Sequence, residues 1–594
     1  MRYQTEKVAE AEAGPVGFSV ELLATTRAWR KARALIDPRF LLAVPVVAGL
    51  LLRLRVAWED ISTSIRTIPD DAFYYFQISR NVANGNNVSF DGETLTNGFH
   101  PLWAALLTPL YLFVDDPELA VHLGLTMGAL LGVATVILAF LVIESLTENR
   151  WAALAGSTLF AIHPWVVADS VNGMETAVAV FMVALTTLLF VRLGTRGDEP
   201  SRGQFAWLGV SAGFMVLART DTILILALLL LYFAVRERSM EGLWGPVVAG
   251  GVAMLVVAPW AIWSLVTFGT VIQISGVAVP QIERQVFLAA NGDSFITQIT
   301  QSWDVTRDAF YDALPRSYFI RVGWPKASIL LVSGITLLLM AAVPLGAPRS
   351  RFLRQMGILL VPVAGIVVML LFHSAIRWHL RGWYFSPAAL FGAVFFGVAL
   401  DYILGALQRI RDWFLGAEDI SAAGASRGPN RFAWPFSSIQ AGAFILILAA
   451  AVFFYGPQRA DVWVLRLPHR QNMLEAALWL EANTDEEARI GSYNAGIIGY
   501  FSERTVINLD GVVNEHAYRA RREGKTVEYV CSNQIDYVVD LSLKRWESVP
   551  CGDPPRARFE LLTTIGRRLA YFRGGQVDVL MLVPEPAVVP SQQP

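Results

Sequence analysis

Long apolar runs decide what this chain can fold into. Eleven of them recur along the sequence, most close to the ~20 residues that a helix needs to cross a bilayer. The first extends from Phe40 to Trp58. The others cover roughly 118–146, 151–169, 175–193, 205–219, 221–236, 244–267, 327–345, 355–373, 382–404 and 439–456. Two of these, 205–219 and 221–236, are short and are separated by the polar break Arg219-Thr220-Asp221. The apolar stretch Pro101 to Val114 is too short to cross and reads as a re-entrant or interfacial helix. Charged residues make up only 16% of the chain and mean hydropathy is +0.45; soluble domains carry about 25% charge. A soluble enzyme, a disordered scaffold and a disulfide-dense secreted module are thereby excluded. The net charge of −2, with no concentrated basic surface, argues against nucleic acid as a partner. The chain reads as a polytopic α-helical membrane protein with about 11 transmembrane helices.

Residues 1–39 hold no hydrophobic core beside a small-residue cleavage site, so no cleavable signal peptide is expected and Phe40–Trp58 reads as an uncleaved anchor. Arginines in the short loops set the direction. With the N-terminus inside, the cytoplasmic segments collect Arg27, Arg30, Lys31 and Arg33, then Arg150, then Arg192, Arg196 and Arg202, and later Arg349, Arg351 and Arg354. Eleven spans then put loops 59–117 and 268–326, and everything after residue 457, on the outer face of the plasma membrane. Three units follow: a cytoplasmic segment 1–39, a transmembrane domain 40–456, and an extracytoplasmic domain 457–594. In the last, charge returns and apolar runs shorten. Ala488–Tyr493, Thr505–Leu509, Asp536–Leu541 and Val577–Val583 read as buried strands, and Asn472–Ala482 and Val513–Arg522 as helices, which makes a small α/β domain. The two cysteines, Cys531 and Cys551, both lie there. They either form a disulfide in an oxidising compartment or remain two thiols.

The first external loop is the most informative stretch. Asp70 and Asp71 begin a helix expected over Ala72–Asn84, with Gln77, Arg80, Asn81 and Asn84 on one polar stripe and aromatic residues over much of the rest. Such a helix is expected to lie flat at the membrane surface with its aromatics among the headgroups. One aspartate is explained as a cap at the positive end of a helix dipole. Two adjacent carboxylates repel, so the second calls for another role: general base on a hydroxyl, or ligand to a metal ion. Asn97-Gly98-Phe99-His100-Pro101 presents an imidazole at the same boundary, either as a hydrogen-bonded turn or as a donor to phosphate. Glu175 starts a span on the same face, as a helix-terminal acid or as a further site carboxylate. Arg219 and Asp221 read equally as a structural ion pair and as functional charges, since ionisable groups at membrane depth are costly. The set His373, Arg377, His379 and Arg381 makes an outer loop cationic, against the positive-inside bias. It suits an anionic ligand held at the membrane surface, because arginine forks match phosphate oxygens.

The stretches DDAFYYFQISRNVANGNNVSFDG, TNGFHPLW and NGMETA resemble the bacterial members of the GT-C glycosyltransferase superfamily. They are similar to protein mannosyltransferases, aminoarabinose transferases and mycobacterial arabinofuranosyltransferases. The resemblance covers roughly residues 40–270 and continues more weakly through HLRGWYF. The tail segment SYNAGIIGYFSERTVINLDGVVN looks like the exported domain of uncharacterised relatives. It implies a GT-C-like fold and an inverting transfer of a sugar from a polyprenyl-phosphate carrier to an acceptor hydroxyl on a glycan, lipid or protein at the outer face. By the same resemblance, Asp70 or Asp71 is the general base and Glu175 a second acid. Arg377, His379 and Arg381, with Arg219 and His100, take the charge of the leaving phosphate. A double proline usual after the histidine is here Pro101-Leu102, which weakens the carry-over to His100. A divalent cation is compatible with the acids but not demanded by them. The competing class is a transporter or flippase of lipid-linked saccharides, which would place its charges near mid-membrane and show repeat symmetry. A third reading makes the membrane part a degenerate scaffold and the tail a binding module.

Overall fold

The computed structural model describes residues 38–195, 200–236, 242–311, 349–414, 467–543, 546, 549–552, 557–569 and 575–584. The spans expected at 327–345 and 439–456 lie outside the described residues. Six helices are long and apolar enough to cross a membrane: Pro38–Ala57, Pro117–Thr147, Thr176–Thr195, Trp244–Phe268, Leu353–Ile376 and Gly382–Ala406. The chain is thus a multi-pass membrane protein; the expected count of eleven is not confirmed, since among the described residues six helices, or seven with one bent pair, have the length and composition of a span. The bent pair is the run expected as one straight span over 151–169. It breaks into Arg150–Ala161 and Pro164–Ser170, which meet at 62°. Pro164 lacks an N–H and cannot continue the first helix; it instead opens the second, with His163 as the N-cap accepting from Val166 N. The two short runs are the helices Arg202–Ala218 and Ile223–Arg236, joined by a single 3-10 turn at Thr220–Thr222.

The helix after the paired aspartates, Asp70–Ala83 (α1), forms as expected. Its surroundings do not. Phe73, Tyr74, Tyr75, Phe76 and Ile78 are buried in protein rather than laid among headgroups. The cover is a short apolar helix of the C-terminal domain, Ala495–Phe501 (α3). Phe73 packs at 5.6 Å from the Tyr500 ring and 5.5 Å from Phe501. Arg80 stands 4.8 Å over Tyr500, and Tyr111 hydroxyl meets Tyr500 hydroxyl at 2.9 Å. A patch of aromatic surface this size gains more from close packing with another apolar helix than from a wet interface.

Between the membrane helices and the C-terminal domain lies Ile274–Asn291 (α2), in the segment that follows Trp244–Phe268. The C-terminal domain is a six-stranded mixed sheet in the order β2-β1-β3-β6-β5-β4. Strands β1 (Arg489–Ser492), β2 (Thr505–Asn508) and β3 (Tyr537–Leu541) are parallel. Strands β4 (Pro550–Cys551), β5 (Ala557–Ile565) and β6 (Val577–Pro584) extend the sheet antiparallel from β3. The four expected strands are β1, β2, β3 and β6. Helices His469–Asn483 and Glu515–Arg522 (α4) match the two expected ones. The cysteines are paired: Cys531–Cys551 closes a 20-residue separation between helix Thr526–Ser532 and β4.

Two glycines set how closely the domain docks on the first loop. A Cβ on Gly496 would stand 2.1 Å from the Asp70 carbonyl oxygen, and one on Gly98 would stand 2.1 Å from the Val512 carbonyl oxygen. Only glycine permits either approach. Arg489 adds a two-pronged pair with Glu93 at 2.7 and 2.9 Å.

Candidate active site

Where the membrane helices, the first loop, α2 and the C-terminal domain meet, they enclose a cavity of about 930 Å³. The sequence candidates Asp71, His100, Glu175, Arg219, Asp221, His373, Arg377, His379 and Arg381 all line it. Asn97 does not. Its amide donates to Ser264 Oγ at 2.8 Å and its carbonyl accepts from Ile274 N, so it fastens the loop to the helices below. Asp70 does not line the cavity either. Its carboxylate accepts from Gly496 N at 3.1 Å and Ile497 N at 2.7 Å, which caps α3 of the C-terminal domain. Burial pushes its pKa up to about 7 against the pull of those two N–H groups.

Asp71 is one position on and turned the other way. Its carboxylate faces the cavity with no hydrogen bond from the described residues. Burial raises its pKa, while Arg381, Arg470 and His379 pull it down. Burial makes this carboxylate a stronger base than an exposed one, and its lone pairs face the cavity to receive a proton.

The membrane-side wall is a committed network. Arg219 forks onto Asp221, with Nε at 3.0 Å from Oδ1 and Nη2 at 2.9 Å from Oδ2. His373 Nε2 reaches the same Oδ2 at 2.8 Å, and the Arg219 guanidinium lies 3.9 Å over the Tyr384 ring. The 3-10 turn between the two short helices is what brings Arg219 and Asp221 to one point. Tyr75 donates to Glu175 Oε2 at 2.9 Å, and Arg219 Nη1 lies 3.8 Å from the other oxygen. His100 Nε2 is 3.7 Å from Glu175, while Gln273 Nε2 lies 3.3 Å from its Nδ1. Burial lowers the His100 pKa although Glu175 opposes it, so the ring is a neutral connector rather than a standing cation.

The turn after Phe372 supplies the freer charges. Arg377 lines the cavity and has no carboxylate partner among the described residues. His379 and Arg381 share Glu283 of α2, at 2.8 and 3.5 Å. Burial raises the Glu283 pKa, but the His379 hydrogen bond and its neighbouring cations bring it below the usual carboxylate range. Glu283 is half exposed.

Sequence reasoning missed Tyr75, Gln273, Glu283 and Tyr384, and on the C-terminal domain Tyr493, Asp510, Arg521 and Asp540, all of which line the cavity. Asp510 stands in the Leu509-Asp510-Gly511 turn of a stretch already singled out; nothing local marks Glu283. No group of three His, Cys, Asp or Glu side chains suited to a metal ion occurs among the described residues. The cavity acids are separately tied to cations or tyrosine, or stand alone, and this arrangement does not fit a divalent cation.

Residues 100–263 match the family model described as dolichyl-phosphate-mannose-protein mannosyltransferase. Residues 462–580 match a domain of unknown function, DUF8728. The structure is similar to ArnT from Cupriavidus metallidurans bound to undecaprenyl phosphate, with a TM-score of 0.52 at 15% identity, covering 90% of this chain and 97% of that one. The chain has a GT-C fold. The apo form of the same ArnT aligns over the same shares with a TM-score of 0.52 at 14% identity. An Archaeoglobus fulgidus oligosaccharyltransferase in complex with zinc and sulfate aligns with a TM-score of 0.45 at 15% identity, over 83% of this chain and 67% of that one. No curated protein sequence matches the chain. Within the GT-C fold found here, the matched stretch 100–263 carries His100, Glu175, Arg219 and Asp221 but not Asp71 or the turn after Phe372.

Proposed function

We propose that the protein is an inverting glycosyltransferase that moves a sugar from a polyprenyl-phosphate carrier to an acceptor hydroxyl at the outer face of the plasma membrane. The observation that carries this reading is that Asp71, with no hydrogen bond among the described residues, and Arg377, with no carboxylate partner among them, line the same cavity at the edge of the membrane helices. Asp71 takes the proton from the acceptor hydroxyl as its oxygen attacks the anomeric carbon. The bond from that carbon to the phosphate oxygen breaks, and its electron pair leaves with the polyprenyl phosphate. Arg377 and Arg381 receive that charge, with His379 as a hydrogen-bonding group beside them, in a site where fixed cations act more strongly than in water. The Arg219–Asp221–His373 network holds the floor of the site, and Glu175 with Tyr75 positions the first loop over it.

The carrier assignment is supported by the likeness to ArnT bound to undecaprenyl phosphate. The outer-face assignment, with 457–594 as an extracytoplasmic domain, is supported by the disulfide, since such bonds persist in oxidising compartments. Asp70, engaged as a cap, leaves Asp71 as the base. The test is to incubate purified protein with a panel of polyprenyl-phosphate sugars and an envelope extract as acceptor. One donor should be consumed with release of free polyprenyl phosphate. Passage of a lipid-linked sugar across a vesicle without cleavage would instead make the protein a flippase.

A further inference from the structure

Part of the cavity wall belongs to the C-terminal domain, and its chemistry differs from the rest. Asp540, at the end of β3, is fully used. One oxygen accepts from Tyr493 N at 2.7 Å and Asn494 N at 2.8 Å, the other from Asn494 Nδ2 at 2.8 Å and Leu541 N. This locks the loop after β1 so that Tyr493 and Asn494 line the cavity. Asp510 lies in the loop after β2. Oδ1 accepts from Val512 N at 2.8 Å, in the segment that touches Gly98. Gly511 follows with φ +88°, which turns the chain there. Arg521, on α4, ties the patch together: Nη1 donates to the Asp510 carbonyl at 3.3 Å and the guanidinium stands 5.6 Å from the Tyr493 ring centroid. The result is one aromatic ring, one carboxylate and one guanidinium side by side on the wall of a large cavity.

Unlike Glu283, which His379 and Arg381 hold, Asp510 has no ion pair among the described residues, and such a carboxylate beside the leaving phosphate would repel it, so these groups do not serve that phosphate. They suit a neutral molecule with many hydroxyls and one apolar face. Carboxylate oxygens accept from hydroxyl groups, a guanidinium donates to their oxygens, and an aromatic ring covers the C–H face. Asp71 and Asp510 line the same cavity, and burial pushes the Asp510 carboxyl up to about 7. A saccharide held at Asp510 thus shares the cavity with Asp71, the carboxylate that receives the proton of a reacting hydroxyl. An anionic acceptor would meet both carboxylates and Glu175.

We propose that Tyr493, Asp510 and Arg521 form an acceptor subsite for an uncharged saccharide, which presents its reacting hydroxyl to Asp71. This rests on the glycosyl-transfer reading above and adds the class of acceptor. The C-terminal domain thus supplies part of the active site and not only a lid over it.

The test uses full-length protein in nanodiscs and saturation-transfer NMR with a panel of methyl glycosides of glucose, galactose, mannose and arabinofuranose. At least one should receive saturation at its ring protons. Tyr493→Ala and Asp510→Asn should each cut that signal at least fivefold, while Tyr493→Phe keeps it. Binding of undecaprenyl phosphate, measured on the same samples, should change less than twofold and reports that the variants are folded. No saturation of any glycoside, or signals equal in wild type and both variants, overturns the subsite. A serine-containing hexapeptide that receives saturation, lost in Tyr493→Ala, also overturns it and assigns the wall to a peptide. The two readings fail separately: carrier binding without glycoside binding sinks the subsite alone, and glycoside binding without carrier binding sinks the transfer reading.

Discussion

The wall of the cavity formed by the membrane helices and the wall at the seam with the C-terminal domain both carry charge, but they spend it differently. In the first, Arg219, Asp221 and His373 satisfy one another, and Glu175 is held by Tyr75. At the seam, Asp71 has no hydrogen bond among the described residues, although Asp70 beside it is used up as a cap on α3. The difference teaches how to divide charged residues in such a site. Paired charges shape the cavity and their loss is felt as stability. Unpaired charges facing the same space cost burial energy with no return in the fold, and their loss is felt as chemistry.

Substitutions can break or sharpen that division. Asp221→Ala strands Arg219 in a buried setting and should lower stability by about 3 kcal/mol, read as a fall in Tm in detergent. An unchanged Tm with lost carrier binding would move this network to the substrate side of the comparison. Arg377→Gln, with no carboxylate partner among the described residues to strand, should leave Tm in place and weaken undecaprenyl phosphate binding by roughly 10- to 100-fold, the worth of a hydrogen bond to a charged group. Asp70→Ala removes a cap and should cost about 1 kcal/mol, with transfer changed only a few-fold. The pH dependence carries a definite sign. The folded state holds the Asp70 carboxyl at about 7, above its ordinary 3.8. Its contribution is thus greatest below pH 4 and is lost as pH rises through 7. Chemical denaturation at pH 5 and pH 8 should show a larger penalty for Asp70→Ala at pH 5.

Much of this site is legible in the sequence because its residues sit at local landmarks. Asp71 starts a helix, His100 precedes a proline, Glu175 follows a glycine turn, and Arg219 and Asp221 interrupt an apolar run. What the sequence conceals is pairing over distance. Nothing near residue 73 announces that α1 is covered by a helix more than 400 residues on, so its aromatics read as lipid-facing. The same blindness hides Glu283, an ordinary acid in an amphipathic helix until His379 is folded against it. Strand β5 lacks a continuous apolar run because much of it is exposed, and only its neighbour β6 reveals it. The break at Pro164 was readable, but the apolar run around it argued for one straight span.

The most direct test of the account is single-turnover transfer from the consumed polyprenyl-phosphate sugar by the wild type and Asp71→Asn, followed across pH. The account predicts a loss of about 10²- to 10⁴-fold in Asp71→Asn, with carrier binding and Tm unchanged. In the wild type the acid limb should lie above pH 4, since burial raises the Asp71 carboxyl and protonation removes the base. Transfer by Asp71→Asn at the wild-type rate would contradict it.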